Sequence, residues 1–119
     1  MGHSFGSIDQ MGDAAFRKVR RELGVTAFGV NALVLAPGIV GRPHYHDEQD
    51  ELYFVHRGRA RFEVGGEIRE IGPGGLCHVE SKTPRRVTSV GEEDLVMLVV
   101  GAKDGYVGRD GHPAEDSEF

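Results

Sequence analysis

Between Gly58 and Gly101 the chain never runs more than nine residues without meeting a glycine or a proline. Such segments are too short for helices that bury a face, and several carry a two-residue period. Ala60, Phe62 and Val64 alternate with Arg59, Arg61 and Glu63, which marks a strand with one wet face. Gly65-Gly66 then reads as a hairpin turn into 67–71, and Gly72-Pro73-Gly74-Gly75 as the next break. Further strands are predicted over 25–35, 51–56, 76–80, 86–90 and 95–100. The last is apolar throughout, so it should be covered on both faces. Short strands with turn signals at near-regular spacing imply an all-β sandwich or closed barrel.

At 119 residues and 39% hydrophobic content, the chain has room for one domain and one modest core. Residues 1–12 are Gly- and Ser-rich and read as loose. Over 13–23 the pattern is ambiguous: Phe16, Val19 and Leu23 fit one helical face, yet a strand is equally arguable. The expected organisation is an N-terminal segment 1–24, partly flexible, a barrel 25–101, and a C-terminal tail 102–119.

The formal charge is −5, from 14 Lys+Arg against 19 Asp+Glu, which argues against nucleic acid as a partner. One local exception, Arg17-Lys18-Val19-Arg20-Arg21, reads as a solvated edge or helix face, with a basic recognition patch as the alternative. No apolar leader and no membrane-length apolar run are present, so a cytoplasmic location and no membrane partner are expected. The lone cysteine, Cys77, lies between Leu76 and His78 in an apolar run and reads as a structural thiol.

Chemistry concentrates between Gly38 and Gly58. After Gly38 come five residues, His44-Tyr45-His46, four residues, Glu51, six residues and Gly58. Histidines at i and i+2 of an extended chain project from one face. A carboxylate five residues on, after a turn, can return to that face from the adjoining strand. Two imidazoles and one carboxylate with open positions form the set associated with non-haem Fe(II), and Mn, Ni or Zn also occupy such N/O sites. Tyr53 shares the phase of Glu51, so it either lines the cavity as a candidate catalytic phenol or packs the barrel with a satisfied hydroxyl. His56 has the opposite phase and should face out. Glu48 and Asp50 are expected to be solvated loop residues, and His3 and His112 to lie in loose ends. Residues 105–111 read as a lid over a barrel mouth or as an ordered surface turn.

The series Gly38, His44, His46, Glu51 and Gly58 resembles the first motif of the cupin superfamily at every defined position. The resemblance extends over residues 25–100. It implies a double-stranded β-helix, or jelly-roll barrel, often dimeric, with a divalent metal near one mouth. The chain departs from the second cupin motif. Gly74 is in register, but Glu80 stands for the proline, Lys82 for the second glycine, Arg85 for the histidine that usually completes the metal shell, and Ser89 for the asparagine. A guanidinium has no lone pair to offer a metal. In one reading of Arg85, His44, His46 and Glu51 form a three-ligand site and the arginine clamps a carboxylate-bearing substrate. In another, Arg85 forms an internal salt bridge with Glu51 or Glu80. In a third, His78 fills the fourth place. The expected function is a metal-binding cupin, of oxygenase type if an enzyme, acting on a small anionic metabolite. A metal-assisted isomerase or lyase and a non-catalytic binding or sensing module are the alternatives. A homodimer is expected, because an all-apolar strand and open sheet edges need cover.

Overall fold

The computed structural model describes residues 2–115. They form a single 3-10 turn (Ile8–Gln10), ten strands and one short α-helix: β1 (Phe16–Arg17), α1 (Val19–Leu23), β2 (Gly29–Leu35), β3 (His44–His46), β4 (Asp50–Arg57), β5 (Ala60–Val64), β6 (Glu67–Ile71), β7 (Leu76–Val79), β8 (Arg85–Ser89), β9 (Leu95–Ala102) and β10 (Gly111–Pro113). Two five-stranded antiparallel sheets result, ordered β1-β2-β9-β4-β7 and β10-β3-β8-β5-β6. The all-β class expected from the turn spacing is the one observed.

The ambiguous stretch 13–23 resolves into both of its readings, a two-residue strand followed by a one-and-a-half-turn helix that ends on Gly24 in the left-handed region. Strands also come from outside 25–101, since Phe16–Arg17 pairs with β2 and Gly111–Pro113 with β3. Of the expected tail, residues 116–119 lie outside the described residues.

Alternation along β4, β5 and β8 sends Tyr53, Val55, Phe62 and Val87 inward, where they meet Leu35, Val79, Leu95 and Met97 in the main core. A second cluster lies on the other side of the first sheet: Val19, Val30 and Ala32, with Leu98 and Val100 packed against them. The apolar strand β9 is thus covered on both faces within one chain. Its outer cover is the N-terminal segment, so this strand by itself makes no demand for a partner.

Gly38 and Gly58 sit at φ +85° and +84°, where a side chain would be strained. At Gly58 an added Cβ would also lie 2.5 Å from the Asp94 carbonyl oxygen. The two glycines that flank the histidine–glutamate series therefore serve turns that any other residue would distort.

Candidate metal centre

Strand β3 belongs to one sheet and β4 to the other, so the three-residue link 47–49 carries the chain across the mouth between them. Extended geometry at β3 places the His44 and His46 rings side by side, 5.1 Å apart and nearly perpendicular. Glu51, the second residue of β4, points inward and meets them. Its Oε1 lies 3.3 Å from His46 Nε2 and 3.9 Å from His44 Nε2. One ligand atom from each of the three residues falls within 4.8 Å of the others. His46 and Glu51 are buried, and His44 is half-buried.

Hydrogen bonds on the far side of each ring fix its tautomer. His46 Nδ1 faces Asp110 Oδ1 at 2.9 Å, and His44 Nδ1 faces the Arg42 carbonyl at 3.1 Å. Both partners only accept, so both Nδ1 atoms carry the hydrogen and both Nε2 atoms present lone pairs to the centre. Two lone pairs then confront a carboxylate oxygen. That arrangement is repulsive unless something positive lies between, either a proton or a cation. His46 Nε2 is buried and has no hydrogen-bond partner. A divalent ion with ligand distances of ~2.0–2.2 Å suits two imidazoles and a carboxylate at these separations. The residues present therefore fit a divalent metal.

Titration behaviour follows from the same contacts. Burial works to lower His46, but the Glu51 and Asp110 carboxylates outweigh it and hold the imidazole above its ordinary pKa. Burial would raise Glu51, yet the neighbouring His44 and His46 rings and the hydrogen bond from Tyr53 hold it well below the usual carboxylate range. Burial and the neighbouring Glu51 charge push Tyr53 up, so its phenol stays protonated and donates to Glu51 Oε1 at 2.7 Å.

Asp110 was not legible as a site residue. Besides His46 it accepts from the backbone amides of Glu48 and Gln49, at 2.8 and 2.9 Å, and from the Gln49 side chain at 2.5 Å. These bonds, led by Gln49, overcome burial and hold its carboxyl well below the ordinary range. One side chain just ahead of β10 thereby anchors the crossing link and orients His46. The stretch expected to be a lid or a surface turn supplies this anchor.

Arg85 lies opposite His44 in the β3–β8 register, faces inward and is fully buried. Its Nη1 donates to Glu51 Oε1 at 3.3 Å, while Nη2 donates to the Glu80 carbonyl at 2.8 Å. It does not line the open cavity. This is the geometry of an internal ion pair with Glu51. His78 opposes Leu52 on the outer, exposed face of β7, away from the cluster, because its phase is opposite to that of Val79 and Glu51. His56 is exposed, as its phase requires. Asp50 is not merely solvated, since its Oδ1 accepts from the Ser81 amide at 3.0 Å. His112 stacks on Tyr45 and bonds Asp47 at 2.7 Å, so it too is ordered.

A cavity of about 600 Å³ opens above His44, His46, Glu51 and Tyr53. That is within the range of small-molecule sites. Its walls are apolar, from Leu33, Leu35, Val87 and Val99 among others.

Residues 32–101 match the family model described as "Cupin domain". The chain belongs to the cupin family. An uncharacterized protein of Streptomyces coelicolor is 33% identical over 88 residues, which span 74% of this chain and 79% of that one. A Klebsiella pneumoniae protein with a double-stranded β-helix domain superposes at a TM-score of 0.77 and 18% identity, covering 94% of this cupin and 97% of that chain. A sugar phosphate isomerase of the cupin superfamily from Silicibacter pomeroyi superposes at 0.67 and 25% identity over 74% of this chain. This cupin spans 58% of that isomerase's length. Among the described residues no helix is long and apolar enough to cross a membrane.

Proposed function

We propose that this cupin is a divalent-metal enzyme that isomerises or cleaves a small oxygenated anion, with His44, His46 and Glu51 as the metal ligands. The observation that carries the reading is the pair of oriented imidazole lone pairs facing the Glu51 carboxylate at the floor of an open cavity. When bound, the metal supplies Lewis-acid polarisation of a substrate carbonyl or hydroxyl oxygen. The chain's own residues do the rest. Asp110 and the Arg42 carbonyl hold the imidazoles in the ligating tautomer. Tyr53 and Arg85 keep Glu51 ionised and fixed, and the apolar walls limit water to the mouth. The 25%-identical sugar phosphate isomerase supports the isomerase reading.

A second reading, Fe(II)-dependent oxygenation, draws on the two-histidine, one-carboxylate donor set. The Arg85 guanidinium, which contacts Glu51 and the Glu80 carbonyl, lends this reading no added support. The readings separate when protein loaded with Mn, Fe, Ni or Zn is incubated with small hydroxy and keto acids, with and without air. Turnover that persists without oxygen and vanishes in His46→Ala supports the isomerase or lyase reading. Oxygen consumption coupled to turnover supports the oxygenase. Ligand binding without turnover under every condition leaves a binding module instead.

For the homodimer expected from the sequence, a different surface from β9 is the candidate. On the outer face of β4 and the edge strand β7, Leu52, Phe54 and Leu76 are exposed side by side. Covering this strip in a homodimer is the arrangement we propose. Sedimentation of a monomer at micromolar concentration would remove it.

A further inference from the structure

The N-terminal basic run does not decorate a remote edge. Lys18, Arg20 and Arg21 reach the mouth of the cavity, where Arg42 and Arg109 join them from two other segments. Among the described residues, five cations thus line a cavity whose only acid is Glu51, in a chain of net charge −5. Glu51 is already paired with the fully buried Arg85. Among the described residues none of the five cations is in an ion pair, and Arg20 instead packs over the Tyr106 ring at 4.1 Å. Lys18, Arg21, Arg42 and Arg109 are exposed, whereas His46, Glu51 and Tyr53 below them are buried. Apolar side chains, Leu33, Leu35, Val87, Val99 and Val107, line the same cavity.

Like charges converge on a concave surface only at a cost, and among the described residues no lining acid other than the Arg85-paired Glu51 is there to relieve it. Low-dielectric walls focus the resulting field on the opening. Guanidinium groups match the planar, bidentate geometry of phosphate oxygens, and four of the five cations are arginines. A convex nucleic-acid-binding face would place such charges outside the cavity, not around its entrance.

We infer that the ligand of this cavity is two-headed, with an oxygen-rich group at the floor and a phosphate or phosphonate-like dianion held at the lip by Lys18, Arg20, Arg21, Arg42 and Arg109. The floor half rests on the metal reading above, while the lip half stands on its own cations. The apolar part of the lining favours a ligand whose linker is not itself charged.

The test compares phosphonoalkanoates with unsubstituted alkanoates of the same chain length, by calorimetric titration of Mn-loaded and of chelator-treated protein. The phosphonate should add roughly 10- to 100-fold in affinity, the range for charged hydrogen bonds, and the gain should shrink with added salt. Reversing Arg21 and Arg109 to Glu should abolish the gain while bound metal stays constant. The same reversal at Arg57 and Arg69, which do not line the cavity, should preserve it. Failure of the metal reading alone appears as equal titrations with and without Mn, with the phosphonate gain still present. Equal affinity for phosphonoalkanoate and alkanoate at every chain length overturns the lip site. So does equal loss in both pairs of charge reversals.

Discussion

Asp110→Asn isolates the anchor that the structure places behind His46. In the wild type, one carboxylate oxygen accepts from His46 Nδ1 and the Gln49 side chain, and the other accepts from the amides of Glu48 and Gln49. An asparagine keeps the shape but owns one acceptor and one donor group. Turned one way, its NH₂ faces two backbone N–H groups; turned the other, it faces the His46 N–H. Either the crossing link loses its bonds or His46 must adopt the tautomer that removes its lone pair from the centre. Loss of charged hydrogen bonds at this buried carboxylate should destabilise the metal-free protein by about 2 kcal/mol, the middle of the usual range for one such bond. The bonds share one group, so their losses do not add. Metal affinity should fall roughly 10- to 100-fold, as for other partners of ligating histidines. Urea unfolding in chelator reads the first quantity, and competition against a chromophoric chelator the second. A variant that is destabilised yet binds metal as tightly as wild type would refute the orienting role of Asp110.

Arg85→Met should strand the Glu51 carboxylate in a buried site and cost ~3–5 kcal/mol in the metal-free protein, the range for breaking a buried pair. Added Mn should recover more stability in this variant than in wild type, since the metal replaces the lost cation; equal recovery would refute that pairing. The pH profile carries a sign for each group. His46, raised in the folded state, stabilises metal-free protein below ~6.5, and that contribution is lost as pH rises through its higher folded value. Glu51 and Asp110, depressed in the folded state, contribute above ~4, and their contribution is lost as pH falls through their lower folded values. Melting in chelator should therefore decline above ~6.5 in wild type but not in His46→Gln, and metal loading should remove the decline. A flat wild-type profile across that range would contradict the His46 assignment.

The strands were legible because their cues are local. Ala60–Val64 alternates, Gly65-Gly66 turns, and β5 and β6 appear where those residues direct. The spacing of His44, His46 and Glu51 predicted a shared face for the same reason, since it spans one strand, one short link and one strand. What escaped was set by distance along the chain. Asp110 lies 64 residues from His46, with nothing in its Gly-rich surroundings to mark it as an acceptor for an imidazole. That Lys18, Arg20 and Arg21 line the cavity was not legible, because overall charge says nothing of where α1 folds back. Arg85 could be placed on the second motif by counting, but its direction depends on the pairing of β8 with β3. That pairing turns the guanidinium toward Glu51 and away from the cavity.

The central claim is that two oriented imidazoles and Glu51 hold a divalent ion, and metal content tests it most directly. Untagged protein purified without chelator should carry close to one equivalent of divalent metal per chain by elemental analysis. His46→Ala, folded by circular dichroism, should carry almost none. Equal metal content in the two proteins, or no metal in wild type even after dialysis against Mn, Fe, Ni and Zn, would contradict the account.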